Sequence, residues 1–368
     1  METMTSRLSN TLRMERKRRG LSQGNLAAEV GISRQSYAAL ESGASVPSTE
    51  LALRLGAVLG RSVEALFRLA DHPPETVEME GVGVDATPTP MPPFPVRVAR
   101  VGGRERAYPL RPGLWDGLAS PDGVALERRG AGLRVRRLPS PAPEVELVAA
   151  GCDPAFPLVA ELLRDRGGIR TLGLHSGSRQ ALAMLAAGQI HVAGVHLRDD
   201  ASGIWNGPWV DRLVPFPCTR IGFATWAVDL LLPPGNPSGI QDLEDVLDPG
   251  FTFAQREVGS GTRAFVEGRL GEMAPGGPPA KVAVGHMAVG QAVAGGWADG
   301  GVAIRAAGRA WGLHGLPLVE ERYDLVIPHH FLDLPAVGAL LDQLRGSVLR
   351  GRVELLGGYD GEIMGEPA

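Results

Sequence analysis

Residues 254–265 read AQREVGSGTRAF, and the reading of this stretch decides the fold of the larger part of the chain. A β-branched and aromatic run, Phe251-Thr252-Phe253, leads into Gly259-Ser260-Gly261-Thr262, and a helical pattern (Ala264, Phe265, Leu270) follows. The order predicts a strand, a glycine-bearing turn and a helix N-terminus. Such a terminus leaves backbone N–H groups unpaired and carries partial positive charge, so it suits an anion. Glycines at 259 and 261 let the backbone approach a ligand, Ser260 and Thr262 supply hydroxyl donors, and Arg256 and Arg263 add positive charge. Plain capping by Ser260 or Thr262 is the simpler account of these residues taken alone. A nucleotide P-loop is excluded, since no Gly-Lys-Ser/Thr follows at its spacing. Val258 and Thr262 stand where a Gly-x-Ser-x-Gly hydrolase elbow needs glycines. Binding is favoured over nucleophilic catalysis, and no catalytic residue is assigned.

Working outward, strands and helices alternate from Val145 onward. VELVAAG, Thr171–Leu174 and His191–Val195 read as strands, with helices from Cys152-Asp153-Pro154 through Leu163 and from Ser178 through Ala187. This predicts a parallel sheet covered on both faces, with ligands at the carboxyl ends of its strands. Three turns are built alike: Gly151-Cys152-Asp153, Ser176-Gly177-Ser178 and Ser260-Gly261-Thr262. Converging on one cleft, they would cage a small oxyanion. Asp153 and Glu257 would repel an anion and are assigned capping roles. Arg263 reads equally as an anion contact or as a tie between helix and sheet. His286 reads as a packed or hydrogen-bonded residue, and Trp205, Trp209, Trp226, Trp297 and Trp311 as core or cleft wall. No His or Cys spacing indicates a metal site, including at His329-His330.

This region resembles the periplasmic-binding-protein-like domains fused to bacterial regulators and related to molybdate-binding proteins. The residues carrying the resemblance are VAAGCDPAFPL, LHSGSRQALAMLAAGQIHVAGVHLRD, LLLPPGNPSGIQDLED, AQREVGSGTRAF, ADGGVAIRAAGRAWGL and ERYDLVIP. The resemblance implies a two-lobed α/β domain of the type II arrangement. Its lobes would be joined by crossing segments near Gly222–Leu232 and Tyr323–Pro328, with ligand between them. It further implies Ser176, Gly177, Ser178, Ser260, Gly261, Thr262 and Tyr323 as ligand contacts, with Cys152 and Asp153 at the rim. Molybdate or tungstate is the implied ligand, and no cofactor is expected.

The first seventy residues read as five short helices. Leu8, Leu12 and Met14 mark the inner face of the first. Ser22 caps the second, which carries Leu26, Ala27 and Val30. Gly31 turns into a third, capped by Ser33 and burying Tyr37 and Leu40. Leu51, Leu53, Leu55 and Leu59 fill the fourth, and Ser62 caps the last. Two helices joined by a tight glycine turn form a helix-turn-helix. The pattern RxxxGLSQxxLAxxVGISRQSYAALESGxSxPS resembles the Cro/repressor-like (xenobiotic-response-element) family; Gly24-Asn25 depart from it, where stronger helix formers are usual. The resemblance implies that Arg34, Gln35 and Ser36 face base edges, and that Gln23, Ser33 and Arg16 or Arg18 touch phosphates. Arg and Gln at such a helix start pair bidentately with guanine and adenine. One helix reads few base pairs, so a homodimer on a palindromic double-stranded DNA site is expected.

Four domains are therefore expected: a helix-turn-helix module over 1–70, a Pro-rich acidic spacer over 71–95, a small β segment of hairpins over 96–143, and the sensing domain over 144–368. The spacer holds seven prolines and five acidic residues. In the β segment, Arg128, Arg129, Arg134, Arg136 and Arg137 read as outward, solvated strand residues, with a second DNA contact as the alternative. Ten Lys/Arg against six Asp/Glu in residues 1–70 give +4, within a chain of formal charge −4. Two distant cysteines fit a reducing compartment, and neither a signal peptide nor a membrane-spanning apolar run is present, so a cytoplasmic location is expected. The composite reading is a transcription regulator, not an enzyme, with a small-molecule effector. The alternatives are a regulator sensing an organic metabolite, or an enzyme of cofactor metabolism with an autoregulatory DNA-binding module.

Overall fold

A computed structural model describes residues 8–69, 76–82, 91–110, 120–130, 132–138, 146–199, 201–271 and 282–368. The chain forms two compact units, Met1–Glu75 with Leu138–Pro141, and Thr76–Arg137 with Ala142–Ala368. The smaller unit runs β1 (Leu8–Asn10), α1 (Leu12–Arg18), α2 (Gln23–Glu29), α3 (Arg34–Glu41), α4 (Thr49–Leu59), α5 (Val63–Leu66) and β2 (Phe67–Leu69). Four serines set the helix starts: Ser22, Ser33, Ser48 and Ser62 each accept from the N–H three residues on, at 3.0–3.2 Å. Gly31, at φ 76°, makes the turn between α2 and α3 that a side chain would strain. Leu12, Leu26, Tyr37, Leu40, Leu55, Leu59 and Leu66 form the core.

Two expected core positions are corrected here. Met14 and Leu53 are more than half exposed: α1 turns Leu12, Glu15 and Arg16 inward and leaves Met14 on the other face, and in α4 Leu51, Leu55 and Leu59 define the inward stripe at four-residue spacing with Leu53 opposite it. Leu8 does not extend α1; it lies in β1, opposite Leu69 of β2.

The larger unit begins with a closed five-stranded barrel of β3 (Thr76–Gly81), β4 (Phe94–Val101), β5 (Arg104–Pro109), β6 (Gly123–Arg129) and β7 (Gly132–Arg137), in the order β3-β5-β4-β6-β7. Closure removes the sheet edges that hairpins alone would leave. Met79, Phe94, Val96, Ala107, Ala125, Leu133 and Val135 fill its interior. The expected spacer over 71–95 is corrected in part. Residues 76–81 are a barrel strand, pairing antiparallel with β7 and parallel with β5, and Phe94 opens β4. Residues 71–75 and 83–90 of that spacer, and 139–145, lie outside the described residues. The outward arginines meet acids: Arg129 pairs with Glu78 and Glu127, Arg134 with Glu127, and Arg137 with Glu105.

The rest is β8 (Glu146–Gly151), α6 (Phe156–Gly167), β9 (Arg170–His175), α7 (Ser178–Ala186), β10 (Val192–Val195), α8 (Gly207–Leu213), β11 (Cys218–Leu232), β12 (Phe253–Ala254), α9 (Gly261–Leu270), α10 (His286–Ala294), β13 (Gly300–Ile304), α11 (Arg305–Ala310), β14 (His314–Pro328), α12 (Pro335–Arg345), α13 (Ser347–Glu354) and β15 (Tyr359–Asp360). One eight-stranded sheet has the order β12-β13-β11-β14-β10-β8-β9, with β15 added on β11. It is mixed, not wholly parallel as expected. Parallel wings, β9-β8-β10 and β12-β13, flank the antiparallel pair β11 and β14. Each of these two strands is fifteen residues long and runs from one wing to the other, so the sheet divides into two lobes strung on one ribbon. Bulges interrupt their pairing between Gly222 and Ala224 and between Val228 and Asp229. The wing strands β8, β10 and β13 are buried almost throughout, which explains their near-continuous Val, Ala and Gly content.

The barrel shares this core. Val82, Ala99, Val101 and Tyr108 pack into it, Tyr108 donates to the Gln189 carbonyl at 2.6 Å, and Arg170 bridges Asp122 and Glu146.

Candidate functional site

Three glycine-bearing turns meet around His196, immediately after β10. The Ser176 N–H donates to the Gly151 carbonyl at 2.9 Å, joining the first two turns. The His196 N–H donates to Ser178 Oγ at 3.1 Å, and its Nε2 lies 3.1 Å from Cys152 Sγ. The third turn belongs to the other lobe. A Cβ added to Gly261 would lie 2.7 Å from His196 Cε1, and one on Gly177 would lie 2.8 Å from the Gly259 carbonyl oxygen. Only glycine permits this approach of backbone to ring and of backbone to backbone. Tyr323 of β14 packs across Trp226 at 4.7 Å between ring centres, and its hydroxyl fills the space that a side chain on Gly151 or Gly194 would take.

Charge at this junction is paired and buried. The Arg256 guanidinium grips Glu257 with two bonds of 2.7 and 2.8 Å and donates to His286 Nδ1 at 2.9 Å. Burial would raise the Glu257 carboxyl, but Arg256 and His175 hold it well below the usual carboxylate range. Glu321 Oε2 accepts from Trp226 Nε1 at 3.0 Å and faces His196 Nδ1 at 2.8 Å. Burial opposes ionisation of Glu321 too, and the facing His196 outweighs it. Burial likewise lowers His196, yet the charges of Cys152 and Glu321 push it up to about 10. Asp153 is pushed up to about 6 by burial, against hydrogen bonds from Tyr359 and the Ala155 N–H.

His286 decides what the junction offers. Arginine and the Ile304 N–H are donors only, and both address His286 Nδ1, so the ring proton sits on Nε2. Burial and the neighbouring Arg256 and His196 charges keep the ring neutral. Its Nε2, together with Thr262 Oγ1 and Ser176 Oγ, is buried with no hydrogen-bond partner among the described residues. Orphaned buried donors are costly and point to a missing acceptor. Cys152, His196 and His286 do bring one ligand atom each within 4.8 Å of one another, a grouping hidden in the sequence. Metal ligation would require a free lone pair on His286 beside the Arg256 cation, and the proton arrangement opposes that. The junction presents N–H and O–H groups to an acceptor.

Of the ligand contacts expected from sequence, Cys152, Ser176, Gly177, Ser178, Ser260, Gly261, Thr262 and Tyr323 gather at or beside this junction. Two hydroxyls are already engaged: Ser260 caps α9 by accepting from the Arg263 N–H at 3.1 Å, and Ser178 accepts from His196. Gly177 starts α7 without a side-chain cap, so that helix end stays open. Arg263 pairs with Glu267 at 2.7 Å and donates to the Arg256 carbonyl at 3.3 Å, which ties the turn together. Cys152 and Asp153 are no rim residues; both are buried. Glu257 binds Arg256 and accepts from the Gly285 N–H, at the start of α10, at 3.2 Å. Trp226 is core as expected, whereas Trp297 and Trp311 are exposed. The sequence reading missed His175, His196 and Glu321, whose partners lie far along the chain and leave no local spacing to find.

On the smaller unit, Ser33, Arg34, Gln35 and Ser36 are exposed along the start of α3. Ser33 caps the helix and its hydroxyl lies 2.9 Å from that of Ser36. Arg18 is exposed and paired with Glu15. The phosphate contact expected of Arg16 is corrected: Arg16 is buried in a two-bond pair with Glu41, at 2.8 and 2.9 Å. Gln23 donates to the same carboxylate at 3.3 Å and is half-buried.

A family model described as a PBP superfamily domain matches residues 159–345, slightly over half of the chain, and a helix-turn-helix model matches residues 12–66. The chain belongs to the PBP superfamily. The superfamily domain is thus joined to a helix-turn-helix of the Cro/C1 type. An uncharacterised protein of Bacillus subtilis, YvgK, is 26% identical over 227 residues, covering 60% of this chain and 72% of its own. An uncharacterised helix-turn-helix transcriptional regulator of Methanothermobacter thermautotrophicus is 46% identical over 59 residues, covering 16% of this chain and 86% of its own. Among solved structures, the superfamily domain is similar to a substrate-binding protein of Clostridium perfringens with bound phosphate, at 14% identity and TM-score 0.47, covering 58% of this chain and 98% of that one. No helix among the described residues is long and apolar enough to cross a membrane.

Proposed function

We propose that the chain is a cytoplasmic transcription regulator, acting as a homodimer, whose affinity for operator DNA is set by a small oxyanion held between the two lobes. The observation carrying the ligand class is the set of buried donors at one junction, His286 Nε2, Thr262 Oγ1 and Ser176 Oγ, beside the uncapped start of α7. The local charges cancel in pairs, Arg256 with Glu257 and His196 with Glu321. Discrimination therefore falls to hydrogen-bond donors, which suit a tetrahedral dianion better than a sugar. Molybdate and tungstate are the candidates that the sequence resemblance brings. Arg34 and Gln35 read base edges, and the effector shifts DNA affinity by no more than its own preference for one conformation, typically about 1–3 kcal/mol.

The test is calorimetric titration of the full chain with molybdate, tungstate, sulfate and phosphate, followed by DNA binding with and without the anion that binds. Heat from at least one of the four, lost in Thr262→Val with Ser176→Ala, is expected. Silence from all four would remove the oxyanion reading and leave DNA recognition standing.

A further inference from the structure

Anion binding leaves one group at the junction without a role. Cys152 is buried in the turn after β8, with its sulfur 3.1 Å from His196 Nε2. His196 is oriented from behind: its Nδ1 stands 2.8 Å from Glu321 Oε2, and Trp226 Nε1 holds that same oxygen. An ionised carboxylate on Nδ1 fixes one ring proton there and raises the basicity of Nε2, so the ring facing the thiol draws the thiol proton onto Nε2, in keeping with the raised His196. This is the arrangement of a nucleophile, a base and an orienting acid. A structural thiol needs none of it; Cys218, whose sulfur donates to the Phe216 carbonyl at 3.5 Å and packs against the core, is pushed up to about 11 by burial. His286, whose Nε2 has no partner among the described residues, lies in the same cluster.

We infer that Cys152 is the nucleophilic thiol of a buried Cys152–His196–Glu321 relay. The cleft then takes small anionic electrophiles, carboxylates that carry an electrophilic carbon, as covalent adducts at this sulfur. With a carbonyl carbon the step is a reversible addition. The S–C bond forms, the C=O π pair moves to oxygen, and the thiol proton passes through His196 Nε2 to that oxygen, so no co-reactant is required. His286, Thr262 and Ser176 would hold the carboxylate. That half of the inference rests on the oxyanion reading above, while the nucleophile does not.

The test uses the full chain with iodoacetate and iodoacetamide, electrophiles of nearly equal size that differ in charge. Each forms an S–C bond, breaks the C–I bond and releases iodide, with the thiol proton going to His196 Nε2. Peptide mass mapping separates Cys152 from Cys218, the only two cysteines. In the folded protein, Cys152 should react faster than in the urea-unfolded chain despite its burial. It should favour iodoacetate over iodoacetamide by about tenfold or more relative to the unfolded ratio. Glu321→Gln should slow Cys152 with both reagents while leaving Cys218 unchanged; a loosened fold would speed both thiols. Fast but unselective alkylation would keep the nucleophile and overturn the anionic ligand class. Cys152 reacting more slowly than in the unfolded chain with both reagents would overturn the nucleophile itself.

Discussion

Replacing Arg256 by methionine probes the junction most directly. The substitution removes both bonds to Glu257 and the one to His286, and it leaves a largely buried carboxylate supported by the Gly285 N–H at 3.2 Å and by His175. Breaking a buried pair from one side costs about 3–5 kcal/mol, because the survivor keeps its desolvation penalty without its partner. All six tryptophans lie between residues 115 and 311, so tryptophan fluorescence, excited where tyrosine does not absorb, reports the larger unit alone in a urea titration. With a slope near 3 kcal/mol per molar for a unit of this size, the midpoint should fall by about 1 M or more. Adding Glu257→Gln removes the stranded charge and should recover at least about 2 kcal/mol of the loss, measured as a double-mutant coupling. Acid supplies a second signature. In the native protein the Glu257 carboxyl is depressed, so its contribution is full above about pH 4.3 and declines only as the pH falls further. In Arg256→Met the same carboxyl is unpaired and burial raises it, so stability should instead increase from pH 7 towards pH 5. A cost under about 1 kcal/mol, no recovery in the double variant and no change of slope would together refute the charge-pair account.

Arg34→Ala or Gln35→Ala should weaken operator binding by about 1–3 kcal/mol in fluorescence anisotropy without altering anion binding, and equal losses on random DNA would contradict base reading. Thr262→Val should lower oxyanion affinity by about 1–3 kcal/mol in calorimetry with DNA affinity intact, since it removes one unshared donor and keeps the shape. His191 accepts from the Val148 N–H at 3.0 Å and is lowered to about 4 by burial, with Arg106 adding to the effect. The unfolded chain therefore takes up this proton first. Between pH 6.5 and pH 4 the larger unit should lose about 3 kcal/mol more than His191→Gln does, a difference read by urea titrations with fluorescence in which the raised Asp153 acts on both proteins alike.

What the sequence disclosed was whatever chemistry acts within one turn of chain. The four serine caps of the small unit lie three residues before the N–H groups that donate to them, and Gly31 sits where the turn demands it, so those helices were readable residue by residue. The turn at Gly259–Thr262 was readable for the same reason, and capping by Ser260 proved to be part of its job. Periodicity misled at Leu53, where a run of leucines two residues apart obscured which four-residue stripe faces inward. Composition misled at residues 76–81, where acidic neighbours and later prolines hid a strand whose partners come 26 to 60 residues afterwards. The relay from Cys152 through His196 to Glu321 spans separations of 44 and 125 residues, and only the fold brings those side chains together.

The paired strands β11 and β14 give the two lobes an elastic mount in place of a loose tether. Parting the lobes need not rupture a hydrogen-bonded ladder; it need only flex the ribbon where its register already slips, next to Gly222 and Val228. Opening then strains a leaf spring whose stiffness those two bulges set, and it takes Tyr323 and Trp226, riding on the same leaf, along with every stroke.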